Sequence, residues 1–222
     1  MKIFYLILVS IAFSSVSNYD VSMWGGNVAK VSIHSKNILI NDSLVVRKIQ
    51  YQSSSQSVVD FFYPVSNFHE TIIYNNSILK YKKNINQADY KEKTATYRQN
   101  DTTFYNPETF ICKNCHNIFS LLDLAEQNYQ TVLGKEYIID RDGERFKANF
   151  HLKSQLDNIV ILELNIKPIR NQNYLNRKND IFLWGLFLPN CKRLISIDIN
   201  NNNIIKCQFI NQLGSLEAVL IK

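Results

Sequence analysis

Three residues that lie close together in the chain could carry chemistry: Cys112, Cys115 and His116, in the order C-K-N-C-H. In exported cytochromes, this C-x-x-C-H spacing attaches haem covalently, since the two thiols take the vinyl groups and the histidine ligates the iron. The chain lacks other helical patterns of the cytochrome kind, and Met23 is the only methionine besides Met1 that could act as a second iron ligand. Haem attachment is therefore an alternative, and no cofactor is predicted.

Two further chemistries are open to the same thiols. A cysteine pair at the start of a helix has lowered thiol pKa values and can act in thioredoxin-like redox reactions, but the expected strand-helix-strand surroundings are missing. A zinc site needs a second pair of ligands at close spacing, whereas Cys191 and Cys207 are single residues on predicted strands. We predict no metal site, and a local Cys112–Cys115 disulfide that stiffens the helix entry in an oxidising compartment.

Nothing else in the sequence indicates catalysis. The chain contains no G-x-S-x-G, no H-E-x-x-H and no phosphate-binding glycine loop. Glu163 and Asp198 stand alone on predicted strands, and Asp140 and Asp142 are interpreted as ordinary turn residues. We predict that the protein is not an enzyme and has no catalytic residues.

The cysteines open the one segment that predicts a convincing helix, Ile111–Gln130. Its apolar residues fall on nearly every side of a 3.6-residue spiral, which is typical of a helix inside a protein. Asn114 or Asn117 could serve as the N-cap. Asp123 and Glu126 are expected where the helix must reach water.

The remainder of the chain indicates strands. A length of 222 residues with 45% hydrophobic and 12% aromatic residues suffices for one β-rich domain with a single core. The pattern predicts a mainly β fold, in which a curved antiparallel sheet (a half-barrel) is wrapped around one central helix. Val58–Tyr63 could be a short helix or a strand. The predicted strands are Asp20–Ser35, Asn41–Ser53, Phe68–Tyr74, Ile78–Asn84, Ala88–Arg98, Lys135–Ile139, Arg145–Leu152, Ile159–Lys167, Asp180–Leu188, Lys192–Ile199 and Ile204–Asn211.

The last predicted hairpin bears on the remaining cysteines. Ile195 and Ile197 share a face with Cys207 of the next strand, which requires a loop of odd length such as Asn201–Asn203. Cys207 then lies opposite Ile195 or Ile197, roughly 13 Å or more from Cys191 and beyond the ~7 Å reach of a disulfide. We predict no Cys191–Cys207 bridge.

The first residues indicate export. Lys2 and the apolar run Ile3–Phe13 lead to the small residues Ser15-Val16-Ser17, so we predict a signal peptide over residues 1–17 and a single domain over residues 18–222. The apolar run is short for a membrane span, and the mature chain has no other candidate. Loss of Lys2 lowers the formal net charge from +6 to +5. A basic exported protein favours an anionic envelope surface as a partner over nucleic acid, and it is expected in the periplasm or another extracytoplasmic compartment.

Three stretches carry a likeness to a known family: Asp20-Val21 through Trp24-Gly25-Gly26 to Val31-Ser32-Ile33, then Asn117-Ile118-Phe119-Ser120-Leu121-Leu122, and Ile181-Phe182-Leu183-Trp184 through Arg193 to Ile204-Ile205-Lys206-Cys207. They resemble a bacterial exported family known as domain of unknown function 3108, whose half-barrel resembles periplasmic lipoprotein carriers. Asn117 stands where the family usually has Asp, Ile195 replaces a common Pro, and the cysteine pair is not a family hallmark.

The resemblance implies a cell-envelope protein of unknown activity that could hold a hydrophobic or lipidic ligand between its sheet and its central helix. Two alternatives remain: a structural or interaction module with a closed core, and a haem or thiol redox protein acting through Cys112, Cys115 and His116. The residues expected to form the apolar ligand-binding wall are Phe119, Leu122, Leu162, Leu183, Trp184 and Phe187.

Overall fold

Buried and exposed residues alternate along most of the chain, the period-two pattern of strands with one face turned to a core. The computed structural model describes residues 14–40, 44–99, 102–105, 109–111, 115–169, 180–212 and 214–221. Its strands are β1 Ser14–Met23, β2 Gly26–Ile40, β3 Leu44–Ser55, β4 Ser66–Tyr74, β5 Ser77–Gln87, β6 Tyr90–Gln99, β7 Thr102–Tyr105, β8 Thr109–Ile111, β9 Cys115–His116, β10 Glu136–Arg141, β11 Glu144–Leu156, β12 Ile159–Pro168, β13 Lys192–Asp198, β14 Asn203–Asn211 and β15 Gly214–Leu220. Its helices are α1 Ser57–Phe62, α2 Ile118–Gln127, α3 Tyr129–Val132 and α4 Ile181–Leu186.

All these strands form one sheet, in the order β8-β7-β6-β5-β4-β3-β2-β1-β15-β14-β13-β12-β11-β10-β9. The first and last strands are neighbours in its middle, with Tyr19 opposite Leu220. From β1 the chain moves outward to the β8 edge, starts again at the β9 edge, and returns strand by strand to β15. Every pairing is antiparallel except that of the short β9 with β10. A sheet with this order brings its two edges toward each other when it curves.

Helix α2 lies within the curve of this sheet. Leu121 and Ala125 of the helix are fully buried, as are Phe150, Leu162 and Ile195 on strands that face it. The prediction of a mainly β fold with a curved sheet around a central helix is therefore confirmed. Asn117 is the N-cap of α2, as one of the two predicted candidates.

The prediction of one continuous strand over Asp20–Ser35 is wrong. The chain reverses at Trp24 and Gly25, which have φ angles of 50° and 81°, and Met23 pairs with Gly26 across this two-residue turn. Two successive positive φ values define a tight hairpin turn, for which glycine is well suited. The two glycines thus mark the end of β1 and not a bulge within a longer strand.

The prediction of a strand over Asp180–Leu188 is also wrong, because Ile181–Leu186 within this range form helix α4. The Asp180 side chain accepts a hydrogen bond from the backbone N–H of Leu183 at 3.4 Å, as a capping residue does. A short run that is apolar on both faces fits a buried strand or a buried helix equally well, so periodicity could not separate them. The ambiguous segment Val58–Tyr63 is likewise helical, within α1.

The hairpin of β13 and β14 keeps the predicted faces but not the predicted loop. Ile195 pairs with Cys207, as expected. The connection is an even loop over residues 199–202, and a bulge at Ile205 restores the register. Cys191 and Cys207 are both free, so the prediction that they do not form a bridge is confirmed. The other predicted strands match observed strands to within four residues at each end.

The predicted leader lies mostly outside the described residues, which begin at Ser14. Ser14–Ser17 belong to β1, where Ser17 pairs with Ile33 of β2. Cleavage after Ser17 stays a prediction, and it would shorten β1 by its first four residues, at the end far from the β1–β2 turn. Among the described residues, no helix is long and apolar enough to cross a membrane.

The cap of α2 provides a test of how the helix is held. Asn117 accepts a hydrogen bond from the Ser120 N–H at 2.9 Å and donates one to the Thr71 hydroxyl of β4 at 2.8 Å. We expect Asn117→Ala to lower the free energy of unfolding by about 1 to 3 kcal/mol, because it removes the cap and leaves Thr71 without this donor. Asn117→Asp keeps the acceptor and should cost less in the same denaturant titration. Equal losses for the two variants would contradict this account.

Candidate functional site

Two carboxylates attach helix α2 to the sheet. Asp123 is buried and accepts hydrogen bonds from Arg47 of β3, with Nε at 2.7 Å from one oxygen and Nη2 at 2.6 Å from the other. The same guanidinium donates to the Ser35 hydroxyl at 3.0 Å, and Gln127 also donates to Asp123. The expectation that Asp123 reaches water is wrong, since its charge is balanced by a partner on the sheet.

Glu126 is the second carboxylate, and it is partly buried and directed toward β14. Its Oε1 accepts a hydrogen bond from the backbone N–H of Ile204 at 2.9 Å. The Tyr19 hydroxyl donates to the carbonyl oxygen of the same Ile204 at 2.8 Å. Burial raises the pKa of Glu126, and the nearby charge of Asp123 raises it further. This acid is therefore easier to protonate than an ordinary glutamate.

Between α2, α4 and the inner face of the sheet lies an apolar cavity. Its volume is about 120 Å³. This is smaller than the roughly 300 to 1,000 Å³ of common small-molecule sites, but its lining is likewise mostly apolar with a few polar groups. The cavity is lined by Ser15, Ser17, Tyr19, Val21, Val31, Ile33, Ser35, Ile49, Tyr51, Ile118, Phe119, Leu122, Asp123, Glu126, Leu183, Leu186, Ile204, Cys207, Phe209, Leu216 and Ala218.

The residues expected to form an apolar wall do not all meet at this cavity. Phe119, Leu122 and Leu183 lie on its wall. Leu162 is instead fully buried in the closed core on β12, and Phe187 packs against the Phe146 ring with centroids 4.7 Å apart. The backbone of Trp184 lies in α4, but its side chain is outside the described part of the structure.

Most of the wall comes from strands that sequence reasoning did not associate with a site. Tyr19, Val21, Ile33 and Ile49 alternate with outward-facing residues on β1, β2 and β3, which is the signal that could have placed them on one face. Their meeting with β14 and β15 depends on the pairing of the first strand with the last, which spacing does not reveal. Cys207 also faces the cavity, and burial together with Glu126 raises the pKa of its thiol to about 12.

A buried histidine, His69, supports the part of the cavity wall that Phe119 forms. His69 of β4 contacts Asp180 through Nε2 at 2.8 Å and the Tyr81 hydroxyl through Nδ1 at 2.8 Å. Its ring packs against the Phe119 ring, with centroids 4.8 Å apart. Because Asp180 also caps α4, this chain of contacts fixes α4 to β4 and β5.

A second polar cluster joins β5 to the hairpin of β10 and β11. Lys83 is buried and lies 2.7 Å from Asp142 and 2.9 Å from Glu92. Burial alone would lower the pKa of Lys83, but these carboxylates raise it. Asp142 does occupy the predicted turn, with a φ angle of 55°. The interpretation of Asp140 and Asp142 as turn residues is confirmed, and Asp142 forms an ion pair in addition. Burial raises the pKa of Asp140 to about 7, and the nearby charge of Asp142 is the second-largest cause.

The C-x-x-C-H motif precedes α2 and does not lie on its first turn. Cys115 and His116 form the short strand β9, and the helix begins at Ile118. Both residues are buried, and burial lowers the pKa of His116 to about 4, so its imidazole is neutral at pH 7. Its ring lies edge-on to Tyr137, with centroids 5.4 Å apart. Cys112 lies outside the described residues, so the Cys112–Cys115 disulfide and its haem alternative remain predictions.

Comparisons with known proteins support the fold. No family model and no curated protein matches this chain. Among solved structures, it is similar to a β-barrel-like protein of domain of unknown function 1849 from Brucella abortus, with 6% identity, a TM-score of 0.51, and coverage of 93% of this chain and 95% of that chain. At that identity the likeness shows the fold alone. A β-barrel-like domain of unknown function is therefore supported, and membership of domain of unknown function 3108 is not confirmed.

The raised pKa of Asp140 predicts a pH dependence of stability. In the folded chain, Asp140 keeps its proton up to about pH 7, whereas the ordinary pKa of an aspartate is 3.8. Between these values the unfolded chain has lost the proton that the folded chain keeps, so this group makes the free energy of unfolding fall as pH rises. We expect Asp140→Asn to remove that component in denaturant titrations between pH 4 and 7. Asp157→Asn, in the exposed β11–β12 turn, is the matched control and should leave the slope unchanged.

The thiols provide a test of the disulfide prediction. In the native protein, Cys191 and Cys207 should resist iodoacetamide, because burial raises both pKa values and the thiolate is the reactive form. After denaturation without reduction, we expect two of the four cysteines to be alkylated, and all four after reduction. Four alkylated cysteines before reduction would contradict the disulfide. Two cysteines that stay unalkylated even after reduction, in a chain whose mass has increased by that of haem, would favour the cytochrome alternative.

Proposed function

We propose that this chain is an exported, non-enzymatic protein of the cell envelope that binds a hydrophobic or lipidic ligand between its sheet and helix α2. The observation that supports the proposal best is the apolar cavity between α2, α4 and strands β1–β3, β14 and β15. Side chains of Phe119, Leu122 and Leu183 supply part of its wall, and an apolar chain placed there would be withdrawn from water.

The polar groups of the cavity are grouped near the C-terminal half of α2. Glu126 and Ser35 lie on the cavity wall and remain in the chain after the predicted cleavage, which would remove Ser15 and Ser17. Such an arrangement suits an amphiphile, whose apolar chain would contact the aliphatic and aromatic side chains while its polar group contacts Ser35 and Glu126. Because Glu126 has a raised pKa, it is protonated more readily than an ordinary glutamate, and the protonated acid can donate a hydrogen bond to an oxygen of the ligand's polar group.

Export rests on the sequence of the first residues and on the predicted disulfide. An oxidising compartment would keep Cys112 and Cys115 bonded to each other. The anionic envelope surface proposed as a partner would meet the lysines of the β5–β6 hairpin. Lys80, Lys82, Lys91 and Lys93 are exposed there, whereas Lys83 is buried and serves the fold.

Ala218 allows the cavity to be filled without touching its polar groups. This residue of β15 faces the cavity, while its neighbour Val219 points outward and is partly exposed. We expect Ala218→Phe to weaken the binding of cis-parinaric acid, a fluorescent fatty acid, at least tenfold, because the ring occupies the ligand's space. Val219→Phe adds a ring to the same strand on the opposite face and should bind as the natural chain does.

The outcomes separate the candidate functions. Unchanged binding by Ala218→Phe would move the site elsewhere. Absence of binding by the natural chain, together with a native mass that carries no ligand after export, would favour a structural module with a closed core. The unfolding midpoint of Ala218→Phe should not fall, since the new ring enters empty space and not a packed core.

A further inference from the structure

The end of the sheet at the β1–β2 turn carries a second apolar depression. Its walls include Met23 and Trp24 of the turn, Val59 and Tyr63 of α1 and the loop after it, and Leu188 after α4. The free space between its lining atoms is about 1110 Å³, counting the part open to solvent. The depression therefore lies where three connections between strands and helices come together.

This depression adjoins the cavity between sheet and helix. Phe209 of β14 and Leu216 of β15 belong to the walls of both. Each of these side chains thus has the inner cavity on one side and the open depression on the other. The two side chains, which pair across β14 and β15, thus form a shared apolar wall between the cavity and the depression.

Three aromatic side chains at the same end are exposed to water. Trp24 is 72% exposed, Phe61 84% and Phe62 74%. Phenylalanine and tryptophan are stabilised by burial of their large apolar surface, so exposing three of them together carries a cost in water. Apolar surface of this kind marks a contact with another apolar phase or molecule.

The surrounding structure holds these rings outward. The Ser55 hydroxyl donates to Asp60 at 2.6 Å, and the Tyr63 hydroxyl donates to Asp89 at 2.6 Å, which fixes both ends of the α1 segment. Val59 and Tyr63 face the depression, so Phe61 and Phe62 between them face away from it. At Trp24, the indole lies against Gly214, where any side chain would collide with it. The exposed rings are thus placed by the fold.

We infer that this end of the molecule docks on a lipid bilayer, with Trp24, Phe61 and Phe62 entering the interface beside the depression. The inference rests on the proposed function, which it deepens by naming the source of the ligand. The exposed rings belong to a two-residue turn and a six-residue helix at one end of the sheet, and exposed aromatic rings of this kind insert into the membrane interface. Tryptophan in particular favours the boundary between headgroups and acyl chains.

The carboxylates beside the rings meet no net like charge on a phosphatidylcholine surface. Asp60 and Asp89 are exposed, and each accepts a hydrogen bond from a neighbouring hydroxyl of the chain. A protein partner would instead need pockets that match three protruding rings. Self-association through the same rings is the main competing outcome, and the experiment is designed to detect it.

The experiment measures binding of the purified full chain to vesicles of phosphatidylcholine by flotation. We expect the double variant Phe61→Ser/Phe62→Ser to reduce the vesicle-bound fraction at least fivefold. Leu156→Ser is the matched control, because Leu156 is also 74% exposed but lies in β11 at the opposite end of the sheet, next to the β11–β12 turn. The control should bind vesicles as the natural chain does.

Fluorescence adds a readout that a loss of folding would not imitate. With vesicles of brominated phosphatidylcholine, part of the tryptophan emission should be quenched, and Trp24→Phe should reduce the quenched part. No vesicle binding by the natural chain, or equal losses for the double variant and Leu156→Ser, would overturn the inference. So would sedimentation showing a dimer that the double variant dissolves, without vesicle binding. Retained cis-parinaric acid binding in any of these cases would leave the proposed function standing.

Discussion

The pairing of Arg47 with Asp123 is the contact on which the arrangement of sheet and helix depends. Helix α2 carries two acidic residues into the interior of a curved sheet, where an unpaired carboxylate would cost several kcal/mol. Arg47 of β3 neutralises Asp123, and the backbone N–H of Ile204 on β14 satisfies Glu126. The two partners lie on either side of the central β1–β15 pair. One helix thereby determines the separation of the two halves of the sheet.

Side-chain contacts connect the two halves of the sheet on its open side, where backbone pairing ends. Lys83 on β5 meets Asp142 at the β10–β11 turn, Thr71 on β4 meets Asn117 at the start of α2, and His69 meets Asp180 at the start of α4. The contacts of Lys83 and His69 connect the part of the chain before the central helix with the part after it, and the contact of Thr71 attaches the start of that helix to β4. Because each is polar and largely buried, it specifies one relative position of the segments that it joins, whereas apolar contacts alone tolerate small shifts.

The cavity follows from the same constraints. The carboxylates hold α2 against β3 and β14, while His69 and Asp180 hold α4 against β4, so the space between the helices and strands β1, β2 and β15 is left without a helix to fill it. The wall there is apolar because the inward positions of those strands are apolar. A fold that fixes its helix through charges at a few points can keep such a space, while a helix packed only through apolar contacts would settle into it.

The sequence by itself determined the elements and their faces. Period-two alternation located most strands, and the apolar spiral from Ile118 located the central helix. The apolar odd-numbered positions of the last two predicted strands placed Ile195 opposite Cys207. It also pointed to Phe119, Leu122 and Leu183, since apolar residues of a helix or a run beside a curved sheet must face the interior. These are local properties, set by side-chain spacing along one segment.

Only the tertiary structure decided what depends on contacts between distant segments. It showed that Asp180–Leu188 begins with a helix, because a buried apolar run has no periodicity that separates helix from strand and only His69 and the α4 packing resolve it. It turned Asp123 and Glu126 inward, because their partners Arg47 and Ile204 are 76 and 78 residues away along the chain. It closed β1 against β15, and with that pairing formed the cavity wall, since strand pairing is a property of two segments and not of either one alone.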